Sequence, residues 1–148
     1  MKKFKFNLEK LLSYKAQILQ SEMQALSNIL AEMQRVEDEI KRLSYEVKHT
    51  GEELSVKMGE GTSPLECMTY QHYIDKCRDD IKACEKKLVE LNIAREKQID
   101  RIAEAKKEHR SLEILKENQY RDYLEADRKN TEREIEEFIS AREAMSDE

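Results

Sequence analysis

Cys67, His72, Cys77 and Cys84 are the residues of this chain whose types come nearest to a metal site. A structural zinc site needs four ligands within about 2.0–2.3 Å of one ion, and compact knuckles place pairs of them two to four residues apart. No such pairing exists here. Cys77 and Cys84 are seven residues apart, which on a helix is about 10 Å at 1.5 Å per residue, too far to share an ion. Free cysteines are among the most often buried side chains, so all three read as small core residues. An odd number of them in a helical pattern fits reduced thiols in a cytoplasm. The three histidines (His49, His72, His109) stand apart with no nucleophile beside them. There is no glycine-rich phosphate loop, no G-x-S-x-G turn and no H-E-x-x-H pair. Neither an enzyme nor a bound cofactor is expected.

The elements that must carry these residues are read from the breakers. All three glycines (Gly51, Gly59, Gly61) and the one proline (Pro64) fall between His49 and Pro64. Glycine costs a helix interior about 1 kcal/mol and proline about 3. Helix is therefore predicted to stop within this stretch and to restart behind Ser63, whose hydroxyl can cap, with Pro64 at the first helical position. The simplest object is all-α: two long helices forming an antiparallel coiled-coil hairpin. One domain over residues 1–148 is expected, with a first helix over about 4–57, a tip at 58–64, a second helix over about 65–142 and a frayed tail. Paired carboxylates are plentiful along such helices, but a two-helix structure offers no pocket to desolvate one.

Composition agrees. Charged residues make up 40% of the 148 and apolar residues 39%, with no tryptophan, the balance of long helices rather than of a globular core. The net charge of −5 argues against nucleic acid as a partner, because phosphate contacts need a basic surface. Apolar runs are too short and too often interrupted by charge to cross a bilayer. The basic opening Met-Lys-Lys-Phe-Lys-Phe is followed by no apolar signal core, so no targeting segment is expected.

Apolar periodicity supplies the pairing. Leu12, Leu19, Leu26, Met33, Ile40, Val47 and Leu54 recur every seven residues, with Ala16, Met23, Leu30, Val36 and Leu43 beside them. Such a stripe is a coiled-coil seam. The companion series slips by one residue around Met33. On the second arm Tyr70, Ile74, Cys77, Ile81, Cys84, Leu88 and Leu91 alternate spacings of four and three. The count continues through Arg95, Gln98, Ile102, Ala105, His109 and Leu112, where polar members weaken it. Folded about the tip, the arms face each other as Val47/Ile74, Ile40/Ile81 and Met33/Leu88, and the numbers of each pair add to 121. That register also sets Ala16 against Ala105. Tyr73 lies off the seam beside Tyr70 and Ile74, as an exposed aromatic that suits a docking patch. The second arm is the longer. At 1.5 Å per residue, about 25 of its last residues lie beyond the first arm, and Tyr120, Tyr123, Leu124, Ile135, Phe138, Ile139 and Met145 recur along that overhang. The opening, with Phe4, Phe6, Leu8 and Leu11, is expected to be frayed at the same end.

The opening Met1–Leu12 and the tip Met58-Gly-Glu-Gly-Thr-Ser, followed by Tyr70-Gln-His-Tyr-Ile, resemble the flagellar FliJ family, small cytoplasmic proteins of the flagellar type III export apparatus. The resemblance implies a stalk-like coiled coil, similar to the rotor stalk of rotary ATPases, whose end carrying both termini enters the hole of the hexameric export ATPase. It implies contacts with the cytoplasmic domain of the export gate, links to export chaperones, and a place at the inner face of the cell membrane. The residues that match the gate-contact surface are Leu43, Tyr73 and Cys77. A further aromatic of that surface is replaced here by Thr50, with Tyr45 nearby. The ring contact would fall to Phe4, Phe6, Leu8 and Leu11 of the opening and to Ile135, Phe138 and Ile139 of the overhang. The competing readings are a self-associating coiled-coil spacer without an ATPase partner, and the stalk of an ion-driven rotary ATPase, which the short length and the tip disfavour.

Overall fold

The computed structural model describes residues 2–147. It contains two helices, α1 (Glu9–Glu60) and α2 (Pro64–Ser146), with no strand among the described residues. The fold is an all-α helical hairpin.

The break is narrower than the breakers suggest. Only residues 61–63 leave the helix, while Gly51 and Gly59 stay within α1. Gly61 ends α1 in the left-handed region at φ 88°, and its N–H turns toward the Met58 carbonyl at 3.4 Å, a glycine cap of the kind that closes helix ends. The restart is as expected: the Ser63 hydroxyl accepts from the Glu66 N–H at 3.2 Å, and Pro64 opens α2. Thr62 adds a hydroxyl bond to the Glu66 carboxylate at 2.5 Å.

The chain divides into two compact units, one of residues 21–102 and one of residues 1–20 with 103–148. In the first, Val36, Leu43 and Thr50 of α1 and Ile74, Cys77, Gln98 and Ile102 of α2 are buried. Leu26, Met33, Ile40, Val47 and Leu54 are half-buried beside them, as are Tyr70, Ile81, Cys84, Leu88 and Leu91. The α2 stripe therefore lies where its spacing places it. The α1 stripe does so only after Met33. Before it, Met23 and Leu30 are exposed while Glu22 and Ile29 are half-buried. The buried heptad of Thr50, Leu43 and Val36 runs on through Ile29 to Glu22 without the slip. The physical reason is at hand: Gln98, buried on α2, donates its amide to the Glu22 carbonyl at 2.8 Å and to the Glu22 carboxylate at 2.5 Å. Buried amides must find partners, and this pair holds α1 in the unslipped setting. Lys87 bonds Glu32 at 2.9 Å on one flank of this unit.

The second unit pairs differently. Lys15 reaches Glu108 at 2.7 Å and Lys116 reaches Glu9 at 2.8 Å. Ala105 is buried, but Ala16 is exposed, so the expected close approach of two alanines gives way to Lys15. The opening is not frayed. Phe6 is buried, and Phe4 packs edge-on to Tyr120 at 5.2 Å and beside Tyr123 at 5.5 Å. The Tyr123 hydroxyl donates to the Lys2 carbonyl at 2.7 Å. Helix begins at Glu9 rather than near residue 4 because these phenylalanines are held in an extended segment. From Glu9, paired with Lys116, back to Lys2, bonded by Tyr123, the segment keeps step with α2 residue for residue and so covers it as far as Tyr123. α2 remains helical to Ser146, past the end expected near 142. Met1 and Glu148, the ends of the expected domain and of its tail, lie outside the described residues.

Candidate docking surfaces

In the unit of residues 21–102, the pattern of bonds across the helices separates surface from seam. Leu43 and Cys77 are each 3% exposed. Their area is consumed by the contact between α1 and α2, so they hold a surface in place rather than form one. Tyr73 is 43% exposed, and its hydroxyl donates to Glu46 Oε2 at 3.1 Å. The adjacent Glu46 carboxylate, and after it Cys77, push the Tyr73 phenol above its ordinary range. Thr50, where the resemblance implies an aromatic, is buried. The aromatic surface on α1 is instead Tyr45, stacked on His49 at 5.6 Å, with His49 bonded to Glu53 at 3.0 Å. Lys57 lies over the Tyr70 ring at 5.4 Å. Tyr70, Tyr73, Glu46, His49, Thr50, Glu53 and Thr69 line one shallow groove.

Spacing alone missed Glu46 and His49. Both were on the helix face that periodicity assigns to solvent, and only the register across the pair brings Glu46 to Tyr73.

In the other unit, two groups of the expected ring-contact residues behave differently. Phe4 and Phe6 are packed on α2 as described, while Leu8 and Leu11 are partly exposed. Every described residue from Arg128 onward is exposed, including Ile135, Phe138 and Ile139. These three fall on one face, because residues three and four apart are neighbours on a helix. Ion pairs Arg128–Glu132 at 2.8 Å and Lys129–Glu125 at 3.8 Å lie along the same stretch. Such pairs support an unpartnered helix by only a few tenths of a kcal/mol each.

Of the two surfaces, neither brings together the constellation an active site requires, and no group of three or more His, Cys, Asp or Glu side chains among the described residues could hold a metal ion. No helix among them is long and apolar enough to cross a membrane. The model of the family described as Flagellar FliJ protein matches residues 4–146. The chain belongs to the FliJ family. It is thus a component of the flagellar export apparatus. No curated protein and no solved structure matches the chain. The FliJ match spans both units, so the tyrosine groove and the bare end of α2 both lie within the family's own extent.

Proposed function

We propose that this FliJ-family chain is a non-enzymatic central stalk of the hexameric export ATPase, working from the inner face of the cell membrane. Its unit carrying both termini engages the ring, and the groove around Tyr73 engages the cytoplasmic domain of the export gate. Escort of unloaded export chaperones is a further task of the same surfaces.

The observation that carries this reading is the bare apolar face of α2. Phe138 is 65% exposed, Ile135 53% and Ile139 48%. Large apolar side chains held in a row on a helix without a partner mark an interaction site. A ring lumen would supply the missing apolar surface. The mechanism is mechanical: a stalk that touches ring subunits unequally stabilises different subunit states by differential contact, and can shift an equilibrium only by that difference.

Replacing Ile135 and Phe138 together by aspartate tests the ring contact. Binding of the ATPase should fall by about tenfold or more, the scale of a lost hot spot, with the melting temperature unchanged. Undiminished binding by the double variant would remove this face from the interaction.

A further inference from the structure

The unit of residues 21–102 carries two faults that one motion would repair. The first is polar. Glu22 and Gln98 occupy the seam, and Arg95 beside them has a buried Nε with no hydrogen-bond partner. A buried polar atom without a partner is rare in a folded protein and destabilises it. The second is apolar. Met23, Leu30 and Ile99 are 46%, 46% and 47% exposed. Met23 follows Glu22 in sequence and Ile99 follows Gln98. In an antiparallel pair these successors share one flank of the seam, the flank opposite the Glu32–Lys87 and Glu46–Tyr73 bonds.

The sequence before Met33 thus contains two complete seams that share Leu19, Leu26 and Met33. One adds Glu22 and Ile29, and the other adds Met23 and Leu30. Each alternates spacings of three and four. At about 100° per residue, exchanging one for the other turns α1 by about 50°. Downstream of Met33 the seam of Val36, Ile40, Leu43 and Val47 has no such twin. The second seam therefore meets it with two consecutive spacings of three at Met33, a stammer that locally overwinds a coiled coil.

We propose that α1 upstream of Met33 has two seatings on α2. One is the setting described above. In the other, Met23 and Leu30 enter the seam toward Ile99, Glu22 returns to water and Gln98 and Arg95 gain access to it. The overwound turn at Met33 opposes the change, and the two repaired faults favour it, so the seatings are close in free energy. The device gives the family's coupling component a discrete two-state element. A partner that covers Met23, Leu30 and Ile99 holds the first seating, and one that favours the turned helix holds the second.

Methionine methyl NMR of the unmodified full-length chain tests this, because Met23 and Met33 sit at the moving part while Met58 and Met68 flank the tip. Relaxation dispersion should raise the slow-pulsing transverse rate of the Met23 and Met33 methyls by about twofold over Met68, as exchange on the microsecond-to-millisecond scale does. Glu22→Leu, which makes the first seam apolar, should flatten both profiles. Ile99→Glu, which removes the surface that Met23 would meet, should flatten them as well, with helicity retained in each variant. Flat profiles at Met23 and Met33 in the unmodified chain would overturn the proposal. So would exchange that persists unchanged in both variants.

Discussion

From residue 21 to residue 102, α1 and α2 are joined chiefly through apolar side chains: Val36 and Leu43 lie against a stripe that includes Ile74 and Cys77, all buried. In the unit formed by residues 1–20 and 103–148, the joining is done by ions and rings, with Lys15–Glu108, Glu9–Lys116 and the Phe4, Tyr120 and Tyr123 cluster. The difference is one of strength and reach. Aliphatic burial stabilises at about 25 cal/mol per Å² wherever it occurs, whereas ion pairs as exposed as these contribute at most about 1 kcal/mol each. Between Val36 and Cys84 the first unit is built to hold its shape. The second leaves the row of Ile135, Phe138 and Ile139 outside, as a surface that gains by being covered.

The largest expected effect breaks the aliphatic side of this contrast. Leu43→Ala should destabilise the chain by about 2–5 kcal/mol, the range for truncating a buried leucine, read from chemical denaturation. A cost below that range would mean that the aliphatic seam is not what holds the unit together. Next in size is Tyr73→Ala. Helicity and melting should change little, because the ring is exposed, while binding of the export-gate domain weakens by about 1–3 kcal/mol, the hot-spot scale. Unaltered gate binding would return Tyr73 to the ordinary surface.

Phe4→Ala sharpens the other side. Loss of its contacts with Tyr120 and Tyr123 should cost about 1 kcal/mol of aromatic pairing. The loss should be local: faster amide exchange in residues 2–12 and around Tyr120, with protection unchanged between Val36 and Cys84. A uniform loss of protection would show that the opening supports the whole chain rather than its own unit.

The smallest effect is electrostatic. Hydrogen bonds from Arg35 and then Lys87 lower the Glu32 carboxyl from 4.5 to about 2. A depressed carboxylate adds stability that is present above its unfolded value and lost as pH falls through its folded one. Stability should thus decline between about pH 4.5 and 2, and Glu32→Gln should flatten that part of the profile. Because the pair is partly exposed, high salt should shrink the effect in the parent chain. An unchanged slope in the variant would assign the acid sensitivity to other carboxylates.

How far the sequence foretold all this depends on where its signals were strong. Gly61 and Pro64 marked the turn because each performs a task at a helix end that few other residues can. Gly59 misled, since a helix fixed by its neighbours in a seam tolerates an isolated glycine at about 1 kcal/mol. Downstream of Met33 the apolar pattern admits one seam, and that seam is present. Upstream the pattern admits two, and hydrophobicity selected Met23 and Leu30, while the structure seats Glu22 against Gln98. Side-chain hydrogen bonding across helices is invisible to a pattern that scores only apolar spacing. The opening was misjudged for a related reason: Phe4 and Phe6 have no helical period, and only proximity to Tyr120 and Tyr123 gives them a partner. Among the residues put forward for docking, spacing left Tyr73 off the seam and Ile135, Phe138 and Ile139 beyond the first arm, and all four are exposed. It also set Leu43 and Cys77 in the seam, where they are buried; only the family resemblance made surface residues of them.

The contrast between a unit held by its aliphatic seam from Val36 to Cys84 and a unit that offers its apolar face to a partner is tested most directly by deleting the residues after Arg128. The export ATPase and the gate domain are then assayed with the same preparation. The account predicts that stimulation of ATP hydrolysis is lost while gate binding and the helical signal of residues 21–102 persist. Full stimulation by the shortened chain would contradict it, and the ring contact would then have to lie elsewhere in the protein.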